Sequence, residues 1–388
     1  AAVVKPMVVS PPFLSAAPPR HSTPTPFVAR QRELAQLDGL LEKALAHQGQ
    51  VVFVTGEAGT GKTALAQAFT QRAQVRHADL IVAAGRCNAY TGVGDPYLPF
   101  REILGMLTGD VEPMWAAGGI TTGQARRLWN LIPHAVQLLV EISPDLINIF
   151  IAGPSLVTRV VTAAPGNGIV DPPCWLAQLE VLVTNQQDDE ERAALKQADL
   201  FAQYTALLMA LAQQSPLLLV VDDLQWADAG SISLLFHLGR RLENSRILIV
   251  GIYRPADVAM GRDGERHPLD SVIGEFQRYF GQIHVHLRQS EDMQFVEAFL
   301  DTEPNRLSAK FRQALYQQTK GHALFTVEML RGMQERGDLV QDEAGRWVEG
   351  PDVNWRTLPA QVEGVIGERI NRLPVKLQNV LKVASVEG

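Results

Sequence analysis

Residues 51–73 read VVFVTGEAGTGKTALAQAFTQRA. Val51–Thr55 is a short apolar strand, and the run from Thr63 onward is rich in good helix formers. Between them, Gly56–Thr63 (GEAGTGKT) fits the pattern G-x-x-x-x-G-K-[ST] in the strand–loop–helix context that the pattern requires. Glycines let a backbone wrap closely around a phosphate. The amides of such a loop and of the helix N-terminus turn positive dipoles toward an anion. Lys62 brings a full charge to the β- and γ-phosphates and Thr63 a hydroxyl to Mg²⁺. The candidate nucleotide-binding residues are therefore Gly56, Glu57, Ala58, Gly59, Thr60, Gly61, Lys62, Thr63 and Ala64, with Lys62 also a candidate for catalysis.

Other apolar runs flank this unit. Leu80–Ala84 (LIVAA), Leu217–Val221 (LLLVV) and Ile247–Ile252 (ILIVGI) lack polar alternation, and Ile283–Leu287 (IHVHL) is a weaker fifth. Runs of that kind predict strands covered on both faces, as in a parallel sheet. Helical stretches separate them over Thr63–Val75, Leu200–Gln213 and Ser231–Leu242, and Gln31–His47 precedes them. The alternation predicts an α/β fold with a doubly wound parallel sheet.

One strand ends in acids: Leu217–Asp228 reads LLLVVDDLQWAD. Open α/β sheets bind ligands at their carboxyl edge, so Asp222 is placed to hold Mg²⁺ together with Thr63. Successive strand residues alternate in direction, so Asp223 points elsewhere. It is a candidate to orient or deprotonate the attacking water, with a helix or turn cap as the other reading. Arg254, at the end of ILIVGIY, is a candidate sensor of the γ-phosphate or else a surface arginine. Arg240 and Arg241 read as ordinary cations at a helix C-terminus.

The chain has 388 residues, 46% apolar and 20% charged, with a net charge of −7. That suits a globular protein of more than one domain and gives no overall attraction to nucleic acid or anionic membrane. Cys87 and Cys174 form no metal or disulfide framework and read as buried thiols in a reducing, cytoplasmic compartment. The most apolar region, Leu128–Val161, is broken by Glu141, Asp145 and Arg159 and lacks the roughly 18 uncharged residues of a membrane span. It predicts packed helices.

Residues 1–24 are rich in Pro, Ser and Ala and read as a linker. Residues 25–290 read as the nucleotide-binding domain, with a helical insertion over about 109–199 whose acidic stretch QQDDEERAALKQAD starts a solvated helix. Residues 291–355 lose the strand pattern and predict a helical domain with a hairpin at Leu339–Gly350. Residues 356–388 begin another helical unit and end without a tapering tail, which reads as a truncation.

Together these motifs resemble the STAND class of signal-transduction ATPases, in the branch found in large bacterial LuxR-type regulators, kinases and cyclases. The residues that carry the resemblance are FVARQREL (Phe27–Leu34), GEAGTGKT, DPYLPFREIL (Asp95–Leu104), LLLVVDDLQWAD, LIVGIYRP, TKGHALFTVEMLRGMQERGDLV (Thr319–Val340) and LPAQVEGVIGERINRLP (Leu358–Pro374). The resemblance implies a P-loop NTPase of the ASCE type, followed by a helical domain and the start of a winged-helix domain. It further implies ATP/ADP and Mg²⁺ as cofactors, slow hydrolysis, self-association in the ATP state, and effector and sensor domains outside this chain. It adds Arg30 as a nucleotide contact. Three positions depart from the family pattern: Ala29 stands where the family has Gly, Gln31 where it has Glu, and Ala323 where it has the Pro of a Gly-x-Pro motif. Gly321 and His322 are retained as candidates there. A continuously cycling AAA+ machine and a nucleotide-binding scaffold without useful hydrolysis are the competing readings. Asp223, where a motor usually carries Glu, and Trp226 favour the switch.

Overall fold

The predicted apolar runs form the strands of one sheet. The computed structural model describes residues 10–15, 27–88, 96–163, 174–184, 197–260, 266–287, 293–351, 353–355 and scattered positions between 362 and 381. The first elements are α1 (Pro12–Ser15), α2 (Gln31–Leu45), β1 (Gln50–Thr55), α3 (Lys62–Arg76), β2 (Ile81–Arg86) and α4 (Leu98–Leu107). Next come α5 (Glu112–Ala116), α6 (Thr122–Ile142), α7 (Gly153–Ala163), α8 (Cys174–Thr184), α9 (Gln197–Gln214), β3 (Leu217–Asp222), α10 (Ala229–Gly239) and β4 (Ile247–Tyr253). The rest are α11 (Pro255–Met260), α12 (Pro268–Phe280), β5 (His284–His286), α13 (Gln294–Leu300), α14 (Ala309–Thr319), α15 (Ala323–Arg336), β6 (Leu339–Gln341) and β7 (Trp347–Glu349). By internal packing the chain divides into two compact units, residues 1–24, 32–55 and 66–285, and residues 25–31, 56–65 and 286–388.

In the first unit the sheet runs in the order β2-β3-β4-β1-β5, with β2–β3, β3–β4 and β4–β1 parallel. Every residue of β4, and all of β3 but Asp222, is buried, which is why these strands carry no polar alternation. One strand, β4, therefore separates the strand ending in acids from the strand that leads into GEAGTGKT. This is the parallel-sheet P-loop NTPase fold that the sequence predicts. Register pairs Arg86 with Asp222, which brings the ends of β2 and β3 level at the carboxyl edge. Phe53 anchors the core: it is fully buried, stacks on Phe276 at 6.2 Å and meets the Tyr253 ring at 5.7 Å. Burial and the nearby Asp270 carboxylate push the Tyr253 phenol up to about 12.

The insertion is a set of packed helices, as its amphipathic pattern predicts. Leu128, Ile132, Ala135, Val136 and Leu139 line the buried side of α6, and Thr121 caps its start by accepting from the Gln124 amide. No helix among the described residues is long and apolar enough to cross a membrane. The acidic stretch of the insertion falls mostly on residues 185–196, outside the described residues. The stretch predicted as a linker contains a docked turn. Leu14 is buried, and Phe13 packs on Trp115 and Trp129 with ring centroids 5.4 and 5.9 Å apart. Two neighbouring apolar side chains suffice to hold this segment on an aromatic surface, against the proline-rich composition around it.

In the second unit, α13, α14 and α15 share a core of Val296, Leu300, Phe311, Leu315, Met329, Leu330 and Met333, closed by Leu339 from the hairpin β6–β7. The expected start of a winged-helix domain, 356–388, lies almost wholly outside the described residues.

Candidate nucleotide site

The phosphate loop belongs to the second unit. Gly59 and Gly61 take φ of +75° and +89°, which only glycine adopts without strain. A Cβ on Gly61 would meet nothing within 4 Å, so backbone there is open to close approach. Lys62 is buried and folds back over the loop, its Nζ donating to the carbonyls of Gly56 at 2.9 Å and Glu57 at 2.8 Å. Thr60 donates from its hydroxyl to Glu57 O at 2.9 Å, which tightens the turn. Thr63 and Ala64 are exposed, and the first turn of α3 carries no acidic residue. A helix N-terminus with a cation, a hydroxyl and no competing carboxylate suits an anion. Arg30 is half-buried and follows Ala29, which holds φ +58°. Ala29 thus sits in the left-handed region that favours the glycine of the family pattern.

The acidic edge belongs to the first unit. Asp222 ends β3; its carbonyl accepts from Cys87 N at 2.9 Å and its Oδ1 from Asp223 N at 2.8 Å. The strand stops there, so alternation does not direct the next side chain. Asp223 turns instead into the left-handed region, φ 57° and ψ 39°, ahead of a short 3₁₀ turn over Leu224–Trp226. It stands at the N-cap position of that turn without making a side-chain cap bond. Its carboxylate is held by two other groups. Arg86 reaches Oδ2 with Nε at 2.9 Å and Nη2 at 2.8 Å, and Gln225 Nε2 donates to Oδ1 at 2.8 Å. The hydrogen bond from Arg86 to Asp223 raises the guanidinium's pKa, with burial opposing it.

Gln225 is 2% exposed, and its other amide atom, Oε1, accepts from Arg254 N at 3.2 Å. It therefore ties the end of β3 to the end of β4. Arg254 is partly buried, with Asp257 Oδ2 at 4.0 Å from its Nη1. A pocket of about 410 Å³ opens at this edge, lined by Arg86, Asn88, Glu102, Asp223, Trp226 and Arg254. Two candidates from the sequence, Asp223 and Arg254, thus share one pocket. Arg86, Glu102 and Gln225 were not anticipated. Gln225 had a local signal, a polar residue in an otherwise apolar turn; Arg86 and Glu102 had none. The final acid of LLLVVDDLQWAD serves the backbone. Asp228 caps α10, accepting from Ser231 N at 2.9 Å. Arg240 stacks over the rings of Phe236 and Tyr279, and Arg241 donates to the carbonyl of His237.

Residues 26–250, more than half of the chain, match the AAA ATPase domain family. The chain belongs to that family. Among solved structures, this AAA ATPase module is similar to Cdc6p from Pyrobaculum aerophilum, with 15% identity and a TM-score of 0.43, over 85% of this chain and 68% of that one. It is also similar to the Aeropyrum pernix ORC1 protein, solved in complex with DNA, with 16% identity and a TM-score of 0.40, over 92% and 72% of the two chains. The ORC2 protein of Aeropyrum pernix gives 15% and 0.38, over 92% and 73%. At these identities the likeness concerns the fold alone. No curated protein matches the chain.

The donor set of this AAA ATPase module fits a nucleotide polyphosphate with its magnesium. Lys62, the open backbone at Gly61 and the acid-free start of α3 suit the phosphates. The Thr63 hydroxyl is an oxygen donor of the kind that Mg²⁺ prefers.

Proposed function

We propose that this AAA ATPase module is a regulatory switch. It binds ATP or ADP and couples exchange and slow hydrolysis to domain opening and self-association in signal transduction or transcriptional control. Lys62, with the loop Gly56–Ala64 and Arg30, holds the nucleotide. Thr63 and Asp222 would hold Mg²⁺, which when bound offsets the charge of the phosphates. Asp223 orients or deprotonates the attacking water, and Arg254 senses the terminal phosphate.

The observation that carries the slow-turnover part is the state of Asp223. Both of its oxygens are engaged, one by Arg86 and one by Gln225. Nε and Nη2 of Arg86 and Nε2 of Gln225 take up most of the roughly four acceptor sites of the carboxylate and fix its direction, which leaves little of it for a water. Arg86 has a largely exposed side chain, 72% against 14% for Asp223, so solvent screens the pair and its release is within thermal reach. That suits a switch that turns over infrequently more than a machine that cycles continuously.

The test is direct. The purified chain is extracted for bound nucleotide, and its steady-state turnover and mass are measured with ADP and with ATP. ADP co-purifies, turnover is slow, and mass rises with ATP. Fast turnover with no retained nucleotide points to the continuously cycling reading. Retained nucleotide with no turnover, unchanged by Asp223→Asn, points to a scaffold.

A further inference from the structure

We infer that His322 and the backbone amide of Leu324, at the start of α15, are positioning residues for the phosphate loop. All the groups concerned lie within the second compact unit. His322 is 2% exposed, and its Nε2 lies 3.0 Å from the carbonyl oxygen of Ala58. A carbonyl only accepts, so Nε2 carries the proton. The ring also stacks on Phe325, with centroids 4.1 Å apart and planes at 27°. Two residues on, Leu324 N donates to the carbonyl of Gly59 at 3.1 Å. That amide is among the first of α15, which have no partner inside their own helix, so the loop satisfies it.

These two bonds hold consecutive carbonyls of the loop. A peptide unit is planar and trans, so its N–H points opposite to its C=O. Fixing Ala58 O therefore fixes the direction of the Gly59 amide, one of the loop donors a phosphate would use. Gly59 is required here twice. It has φ +75°, and a Cβ on it would lie 2.5 Å from His322 Cε1 and 2.9 Å from Leu324 Cβ. The approach is too close for any side chain. The helical segment thus shapes the loop through its backbone carbonyls, and displacement of α15 would loosen the phosphate site. This makes the start of α15 a point at which a change in the helical part is read by bound nucleotide. The inference rests on the loop binding nucleotide phosphates.

The test uses the full chain and a fluorescent N-methylanthraniloyl-ADP, with the Lys62→Ala variant as the control for phosphate binding. His322→Ala raises the Kd about tenfold, the effect of one lost hydrogen bond on a binding loop. His322→Gln, which keeps an N–H donor, recovers most of the affinity, while both variants lose thermal stability alike because both lose the ring stack on Phe325. Leu324→Pro removes the second donor at a first-turn position that tolerates proline, and it also raises the Kd several-fold. If His322→Ala does not fold, Leu324→Pro and His322→Gln decide. Wild-type affinity in His322→Ala or Leu324→Pro overturns the inference, as does a Gln variant as weak as Ala. If Lys62→Ala also binds like the wild type, the phosphate reading of the loop fails as well.

Discussion

Arg86 holds Asp223 by a single oxygen. Its Nε and Nη2 both converge on Oδ2, at 2.9 and 2.8 Å, while Gln225 occupies Oδ1 at 2.8 Å. Removing the guanidinium frees the carboxylate for water. Arg86→Ala is expected to raise steady ATP turnover by about three- to tenfold, the kinetic equivalent of a partly screened charge-assisted bond. Asp223→Asn should abolish that gain while leaving nucleotide bound. Equal turnover in Arg86→Ala and the wild type, measured by phosphate release, counts against the restraint.

Lys62 serves the loop itself, since its Nζ satisfies the carbonyls of Gly56 and Glu57. Lys62→Ala should weaken ADP on the order of tenfold to a hundredfold, the range for hydrogen bonds to a charged group. It should also lower the melting temperature without nucleotide, because the loop carbonyls lose their donor. Calorimetric titration and a melting curve check the two effects separately.

Ala29 holds a left-handed backbone, φ +58°, that glycine adopts freely. Ala29→Gly should stabilise the chain by about 0.5–1 kcal/mol, the relief of strain less the extra freedom of glycine in the unfolded chain. A urea midpoint that falls instead would contradict the left-handed assignment.

Cys87 is buried, and burial first, with the carboxylates of Asp228, Asp223, Asp222 and Glu102 adding to it, pushes its thiol well above the ordinary range. A raised pKa removes thiolate at neutral pH, and the thiolate is the reactive form. In a Cys174→Ser background, the native chain should resist a thiol reagent at pH 8 and react with one equivalent after denaturation. Rapid reaction in the native state would place the thiol elsewhere.

The sheet and the phosphate loop were legible in the sequence because their signals are local. Val51–Thr55, Leu217–Val221 and Ile247–Ile252 are apolar on both faces for the reason they are strands, and Gly59, Gly61, Lys62 and Thr63 stand in fixed order between a strand and a helix. The pair Asp222–Asp223 announced the acidic edge in the same way. What surrounds Asp223 was not legible. Arg86 lies 137 residues away in sequence, and no spacing rule joins two charges across that distance. The strand also ends one residue earlier than the alternation rule needs, so a left-handed turn, not the pleat, aims the Asp223 side chain. His322 likewise reaches Ala58 across 264 residues. The sequence by itself determined which strands form and which glycine-rich loop joins β1 to α3, because those choices rest on burial and backbone freedom within a few residues. Only the tertiary structure decided what restrains Asp223 and what steadies the loop, because both depend on side chains that meet through packing of distant segments.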